Sequence, residues 1–406
     1  MLYEGDNMMG VKRNNRSAAL RVLHERGSMS RKRLSVSIKL TPAAITKIVG
    51  EMIAEGLLTE GSLLPGSGVG RREVMVDLNP RARVALGVFI NLRQAIVSAV
   101  WLDGSVLFSE TIPLPAPAPA EETVAMLCRR LTELVEENAL ERSRIIGIGV
   151  AMRGVLSPDG RTVRNSFGAL DTADYPICER IEELTALPCL MSNNVRALFA
   201  AQMFLSKDPD LSSQFFLRCE AGIGASFAIG ERIWLGSSGQ CAEIGHIPVV
   251  RRGGKPCSCG KSGCLETIAS PGALREDALS LLSESRTPVL WRIARSRGAD
   301  ALTLDDIFEA ARSGDADVAA LVDRAVVTLA AALKGVIYAM DPGKIVLYGQ
   351  MFENPYYLSK LIAEMREGVD SGHGVPIEKS RLNHKLEDKA AGLLAVQDFF
   401  DKGGML

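Results

Sequence analysis

One histidine and three cysteines stand within nineteen positions of this chain: His246, Cys257, Cys259 and Cys264. Thiolate sulfur and neutral imidazole are the ligands that suit zinc. Three sulfurs and one nitrogen complete a tetrahedral structural site, with no open position for a catalytic water. Gly260 and Gly263 allow the sharp reversals that would bring the sulfurs to one point. The competing reading treats the four as unrelated, with the cysteines behaving as small apolar side chains. It must then explain why no other segment is so enriched. Two acids bracket the cluster, Glu243 and Glu266. They either orient metal ligands from outside or hold a polar ligand beside the metal.

Glu243-Ile244-Gly245-His246, followed by Cys257-Ser258-Cys259-Gly260-Lys261-Ser262-Gly263-Cys264-Leu265-Glu266, resembles the signature of the ROK family of repressors, open reading frames and sugar kinases. The resemblance implies a zinc that buttresses a sugar pocket, to which Glu243, His246 and Glu266 contribute. It also draws in Asn193 and Asn194. Kinases of the family carry Asn-Asp-Ala-Asn there, and the Asp is the catalytic base; this chain reads Asn193-Asn194-Val195-Arg196. An amide has no useful basicity near neutral pH, though it can hydrogen-bond a hydroxyl. The glycine pair of the kinases' first phosphate loop is missing from Gly87-Val88-Phe89-Ile90-Asn91-Leu92-Arg93. Their second loop, Gly-Thr-Gly-x-Gly, is replaced by Glu220-Ala221-Gly222-Ile223-Gly224, whose acid would repel a phosphate. The resemblance therefore implies no catalytic residue. It implies a sugar or sugar phosphate held by Asn193, Asn194, Glu243, His246 and Glu266. Asn193 and Asn194 could instead simply cap the helix that begins near Val195.

The N-terminal elements carry a second chemistry. Ala18, Leu20, Val22 and Leu23 give a first helix an apolar stripe, ended by Gly27. Ser30 suits an N-cap of a short second helix. Thr41-Pro42 is a helix start, with Ile45, Ile48, Val49, Met52 and Ile53 on one face. Two runs, Leu57 to Leu64 and Arg72 to Leu78, flank a Pro-Gly-rich tip and read as a wing. The pattern is a winged helix-turn-helix, and it resembles the DNA-binding domain of ROK repressors. Ser30, Arg31, Thr41, Ala43, Ala44, Thr46, Lys47, Arg71 and Arg72 are the candidate DNA contacts. Small residues at the start of the third helix let the backbone approach the major groove, and arginines on the wing can reach phosphates or a narrow minor groove. Charge agrees. Met1 to Met75 carries +5 and the remainder −6, in a chain of net −1. The bland alternative is a small protein-interaction domain with a solvated basic face.

Behind this module, apolar runs alternate with helical patterns. Val84 to Ile90, Ala95 to Trp101, Val106 to Thr111 and Ile145 to Ala151 read as strands, with a helix over 121–137. Gln214 to Ile229 and Lys344 to Tyr348 supply strands of a second half. The expected fold class is α/β, resembling the two-lobed actin-like body of sugar kinases. The expected domains are 1–80, 81–194 completed by a C-terminal helix over 386–406, and 195–385 with the zinc site. No apolar stretch suits a signal peptide or a membrane span. Eight cysteines in 406 residues form no secreted disulfide framework, which points to the cytoplasm. The functional expectation is a zinc-stapled transcriptional repressor of carbohydrate genes. It would bind duplex operator DNA as a homodimer or dimer of dimers and answer to a sugar or sugar phosphate. The rivals are an active ATP-dependent sugar kinase with an N-terminal extension, and a repressor controlled by a protein partner.

Overall fold

The computed structural model describes residues 8–63, 73–207, 212–367, 374–382 and 386–405. The chain begins with helix α1 (Met8–Arg26), strand β1 (Met29–Ser30), α2 (Arg31–Ser37), α3 (Pro42–Ala54), β2 (Leu58–Leu63) and β3 (Val74–Leu78). Next come β4 (Val84–Ile90), β5 (Gln94–Trp101), β6 (Val106–Pro113), α4 (Ala120–Glu137), β7 (Ile145–Met152), the short pair β8 (Val155–Leu156) and β9 (Val163–Asn165), α5 (Ile177–Thr185), β10 (Cys189–Asn193) and α6 (Asn194–Ser206). The second half holds β11 (Ser213–Cys219), β12 (Ile223–Ile229), β13 (Arg232–Ile233), α7 (Glu266–Ala269), α8 (Pro271–Ser280), α9 (Pro288–Arg297), α10 (Leu304–Arg312), α11 (Ala316–Met340), β14 (Lys344–Tyr348), α12 (Pro355–Arg366) and β15 (Ile377–Lys379). A last helix, α13, spans Glu387–Asp401.

These elements form two compact units, Met1–Asp208 with Lys385–Leu406, and Pro209–His384. The first unit is larger than the expected lobe at both ends. It includes the N-terminal module, and it runs past 194 through α6. The reason is packing: α6 buries Val195, Ala197, Leu198 and Phe199 and lies beside α13.

The N-terminal module has three helices and a sheet in the order β1-β3-β2. Local chemistry sets its boundaries. Gly27 sits at φ +74 behind α1. The Ser30 hydroxyl accepts the Arg33 N–H at 3.3 Å, and Thr41 accepts the Ala44 N–H at 3.3 Å. Lys39, at φ 55, makes the turn between α2 and α3. The pairing of Met29–Ser30 with Met75–Val76 is a third strand that two residues of sequence are too short to announce. The wing tip, with Arg71 and Arg72, lies outside the described residues.

The first unit's main sheet runs β10-β7-β4-β5-β6. β4 pairs parallel with β7 and antiparallel with β5. Every residue of β4 and of β7 is buried, as expected of strands covered on both faces. Val84, Leu86, Val88 and Ile90 join a core with Val124, Leu127 and Leu131 of α4. The opposite face takes α13. There a Cβ on Gly149 would stand 1.8 Å from the Ala391 carbonyl oxygen, so only glycine lets helix and strand meet. The second unit's sheet runs β13-β12-β11-β14-β15, with β11 antiparallel to β12 and parallel to β14. Written from the first strand of each half, both sheets have the order 3-2-1-4-5 with the same senses.

Candidate functional site

The sulfurs and the imidazole converge within the second unit. The ligand atoms of His246, Cys257, Cys259 and Cys264 all lie within 4.8 Å of one another. The Cys259 and Cys264 sulfurs are 3.7 Å apart, and the Cys257 sulfur is 3.5 Å from His246 Nδ1. A tetrahedron with Zn–S near 2.3 Å and Zn–N near 2.0 Å has edges of about 3.8 and 3.5 Å. Two of the six donor–donor distances therefore match the edges of a zinc tetrahedron, and the rest stay within 4.8 Å. Nδ1 is the nitrogen turned to the sulfurs, so Nε2 points to the other side of the ring.

Backbone geometry makes this possible. Cys257 N–H bonds the Lys261 carbonyl at 2.8 Å and Gly260 N–H bonds that of Cys257 at 3.0 Å, closing a tight loop. Gly263, at φ +75, lies where a Cβ would stand 2.2 Å from the Val250 carbonyl oxygen. Cys264 and Leu265 are fully buried, which ties the loop to the core.

Glu266 closes the cluster on one side. Its Oε1 accepts from Cys257 Sγ at 2.8 Å and from Ser258 Oγ at 3.3 Å, and lies 3.5 Å from His246 Nδ1. Burial, with the bond to Glu266, pushes the Cys257 thiol up. The other oxygen, Oε2, lies against Gly222, where a Cβ would approach it to 2.9 Å. Glu266 thus links the metal cluster to the Glu220–Gly224 loop. Glu243 is exposed and precedes the single helical turn that carries His246. In the loop, Glu220 Oε1 accepts the Gln350 N–H at 3.0 Å. A carboxylate occupies a backbone donor there.

Asn193 and Asn194 lie in the first unit, at the junction of β10 and α6. Asn193 is the N-cap of α6: its Oδ1 accepts the Val195 N–H at 2.9 Å and its Nδ2 donates to the Gly154 carbonyl at 3.1 Å. Asn194 Oδ1 also accepts from Val195, at 3.0 Å, and the residue is 5% exposed. The capping geometry is present, and it fixes both amides in direction.

On the N-terminal module, α3 buries Ile45, Ile48, Val49 and Met52 and turns Ala43, Thr46 and Lys47 to solvent, with Ala44 half-buried. Ser30 is 3% exposed and its hydroxyl is engaged as a cap. Arg31 pairs with Glu60 at 2.6 Å. Both are therefore held by their own module. Sequence reasoning passed over Lys32 and Arg33, which are exposed on the first turn of α2 and form no ion pair among the described residues. The local signal was available in the run Arg31-Lys32-Arg33. Only the helix phase shows that the second and third of these face outward.

Among the described residues no helix is long and apolar enough to cross a membrane. The ROK family model matches residues 92–396. Over 381 residues the chain is 28% identical to the DNA-binding transcriptional dual regulator NagC of Escherichia coli K12, covering 92% of this chain and 90% of that one. The same figures hold for the N-acetylglucosamine repressor of Escherichia coli O6:H1. Among solved structures, the fold is shared with a ROK family transcriptional regulator that is a homologue of the Escherichia coli Mlc protein. That likeness has a TM-score of 0.77 at 23% identity and covers 97% of both chains. A ROK glucokinase from Streptomyces griseus, solved with glucose and AMPPNP, gives a TM-score of 0.65 at 23% identity. It covers 77% of this chain and 99% of that one.

Proposed function

The chain belongs to the ROK family, and on that premise we propose that it is a DNA-binding transcriptional repressor of carbohydrate genes whose body senses a sugar and does not phosphorylate it. The observation that carries this is the exposed face of α3, where Ala43, Thr46 and Lys47 stand outward on a capped, pre-formed helix. Such a face is what a recognition helix presents to the major groove. Lys32, Arg33 and Lys47 supply the cations that phosphates attract; Arg71 and Arg72 belong to the same proposal.

Two features support a sensor over a kinase. Position 194 holds an amide, so no carboxylate there can accept a sugar hydroxyl proton. Glu220 already occupies the Gln350 amide, and its charge opposes a nucleotide phosphate. The sugar contacts are assigned to Asn193, Asn194, Glu243, His246 and Glu266, with His246 using the nitrogen it turns away from the sulfurs. Zinc on His246, Cys257, Cys259 and Cys264 would hold that loop closed and supply no reaction step. The relative named for N-acetylglucosamine makes that sugar and its phosphate esters the first ligands to try. We assign the protein to the cytoplasm, acting as a homodimer. Its three working modules are 1–80, 81–208 with 385–406, and 209–384, the expected boundary at 194 moved to follow α6.

One set of measurements tests the proposal. Purified protein should contain about one zinc per chain by elemental analysis, and Cys259→Ser should lose it. Duplex DNA binding should weaken steeply with salt, and Lys47→Ala should lower the salt slope by about one. ATP with N-acetylglucosamine or glucose should give no sugar phosphate. Turnover of either sugar would restore the kinase reading.

A further inference from the structure

α6 begins on two residues assigned to the sugar and ends against the DNA-binding module. Its first turn is set by Asn193 and Asn194, through the bonds to Val195 and Gly154. Its last turn meets α1. The Phe204 ring stacks on the His24 ring, with centroids 3.9 Å apart and planes 21° apart. His24 Nε2 lies 2.9 Å from the Phe204 carbonyl oxygen. That carbonyl is one of the last four of the helix, which no helical N–H can satisfy. An oxygen only accepts, so His24 is the donor. Phe400 of α13 closes the joint edge-on, 5.7 Å from Phe204 and 6.0 Å from His24.

The same stretch of α1 is gripped twice more. Arg16, 1% exposed, donates from Nε to the Gly403 carbonyl at 2.7 Å and from its guanidinium to Glu55. Arg21 pairs with Asp401. α1 therefore rests on the C-terminal ends of α6 and α13. Leu20 and Leu23 of α1 are buried, as are Ile45 and Val49 of α3.

We propose that α6 is the rod that carries the state of the sugar-binding residues to the DNA-binding module, with the His24–Phe204 stack as its coupling joint. This rests on the assignment of Asn193 and Asn194 to the sugar. The mechanical argument has three parts. A sugar hydroxyl bound by Asn193 competes with its cap and with its bond to Gly154, so occupancy acts on the start of the helix. A helix of 13 residues, about 20 Å long, moves as one piece. At the far end a stacked ring pair and a hydrogen bond to one carbonyl cannot follow a rotation of α6 unless α1 follows too. Both sites thereby bias one shared element, which is the physical requirement for coupling.

The test uses the full-length protein and the four histidines of the chain. The His24 imidazole signal, identified as the one lost in His24→Gln, sits under the Phe204 ring and reports the stack. Asn193→Ala removes the α6 cap and should move that signal and speed amide exchange in residues 16–26 several-fold. Asn193→Asp keeps a capping oxygen but loses the bond to Gly154, and should change both less than Asn193→Ala does. In Phe204→Leu the Asn193→Ala effect on α1 exchange should vanish. An unmoved His24 signal in Asn193→Ala overturns the proposal, as does an exchange effect that survives Phe204→Leu. A second arm adds N-acetylglucosamine, then its phosphate esters. Binding by thermal shift with an unchanged His24 signal overturns the rod. Failure of both to bind removes those sugars as effectors and leaves the rod to be decided by the cap variants.

Discussion

At the scale of the residue, the Cys3His donors and the His24 ring are held by opposite means, the first by reversals of the local chain and the second by rings far away in sequence. The convergence of His246, Cys257, Cys259 and Cys264 could be read from the sequence because their chemistry is local: four donors within nineteen positions, with glycines between them, can come together in few ways. His24 could not. A lone histidine on a helix announces nothing, and its partners Phe204 and Phe400 lie 180 and more positions away. Its environment has a consequence in solution. Burial lowers the His24 pKa below its ordinary 6.5, while the bond to the Phe204 carbonyl acts the other way. Lys207 and Arg21 add to the lowering and Asp103 opposes it. The folded state thus holds the neutral ring where the unfolded chain takes up a proton. Stability is then lost as pH falls below 6.5 and levels off below the folded value. Urea unfolding between pH 7.5 and pH 5 should show this loss, and His24→Gln should flatten it relative to wild type. Equal slopes for the two proteins would mean that His24 titrates normally.

At the scale of the element, period and capping were dependable, and pairing was not. Thr41-Pro42 started α3, and the apolar runs became β4, β5, β6 and β7 within two residues of their expected limits. These signals are carried by neighbours in the chain. β1 is two residues long and exists because β3 runs beside it. The surprise of α6 is similar: its sequence is apolar enough to join either half, and only its packing beside α13 assigns it to the first. The seat of α13 depends on missing Cβ atoms at Gly149 and Gly87, and the first is the tighter. Gly149→Ala would press a methyl into the Ala391 carbonyl at 1.8 Å, with backbone on both sides and no flexible group to yield. We expect a loss of about 3 kcal/mol or more, at the upper end for overpacking, seen as a lowered unfolding midpoint. A stability within 1 kcal/mol of wild type would show that the helix can shift outward freely.

At the scale of the whole molecule, the ROK body repeats one idea twice. Each unit has a sheet of order 3-2-1-4-5 with two parallel and two antiparallel pairings. The alternation of strand and helix made this α/β plan readable, and so was the sharing of the first unit between the two ends of the chain: the expected first lobe already included a C-terminal helix over 386–406, though not α6. That sharing has a meaning for how the protein is made. The Arg16 side chain waits for a carbonyl 387 residues downstream. Ala390, Leu393, Val396, Phe399 and Phe400, buried on α13, are synthesised after the whole of the second unit. On the ribosome the second unit, continuous in sequence, can complete itself while the first still lacks its cover. A chain stopped before Glu387 should therefore yield a soluble second unit attached to an uncovered, aggregation-prone first sheet, with no salt-dependent DNA binding. Recovery of DNA affinity in such a truncation would show that the module stands alone. Otherwise translation itself acts as a proofreading step: the DNA-binding module is seated only in chains made through α13.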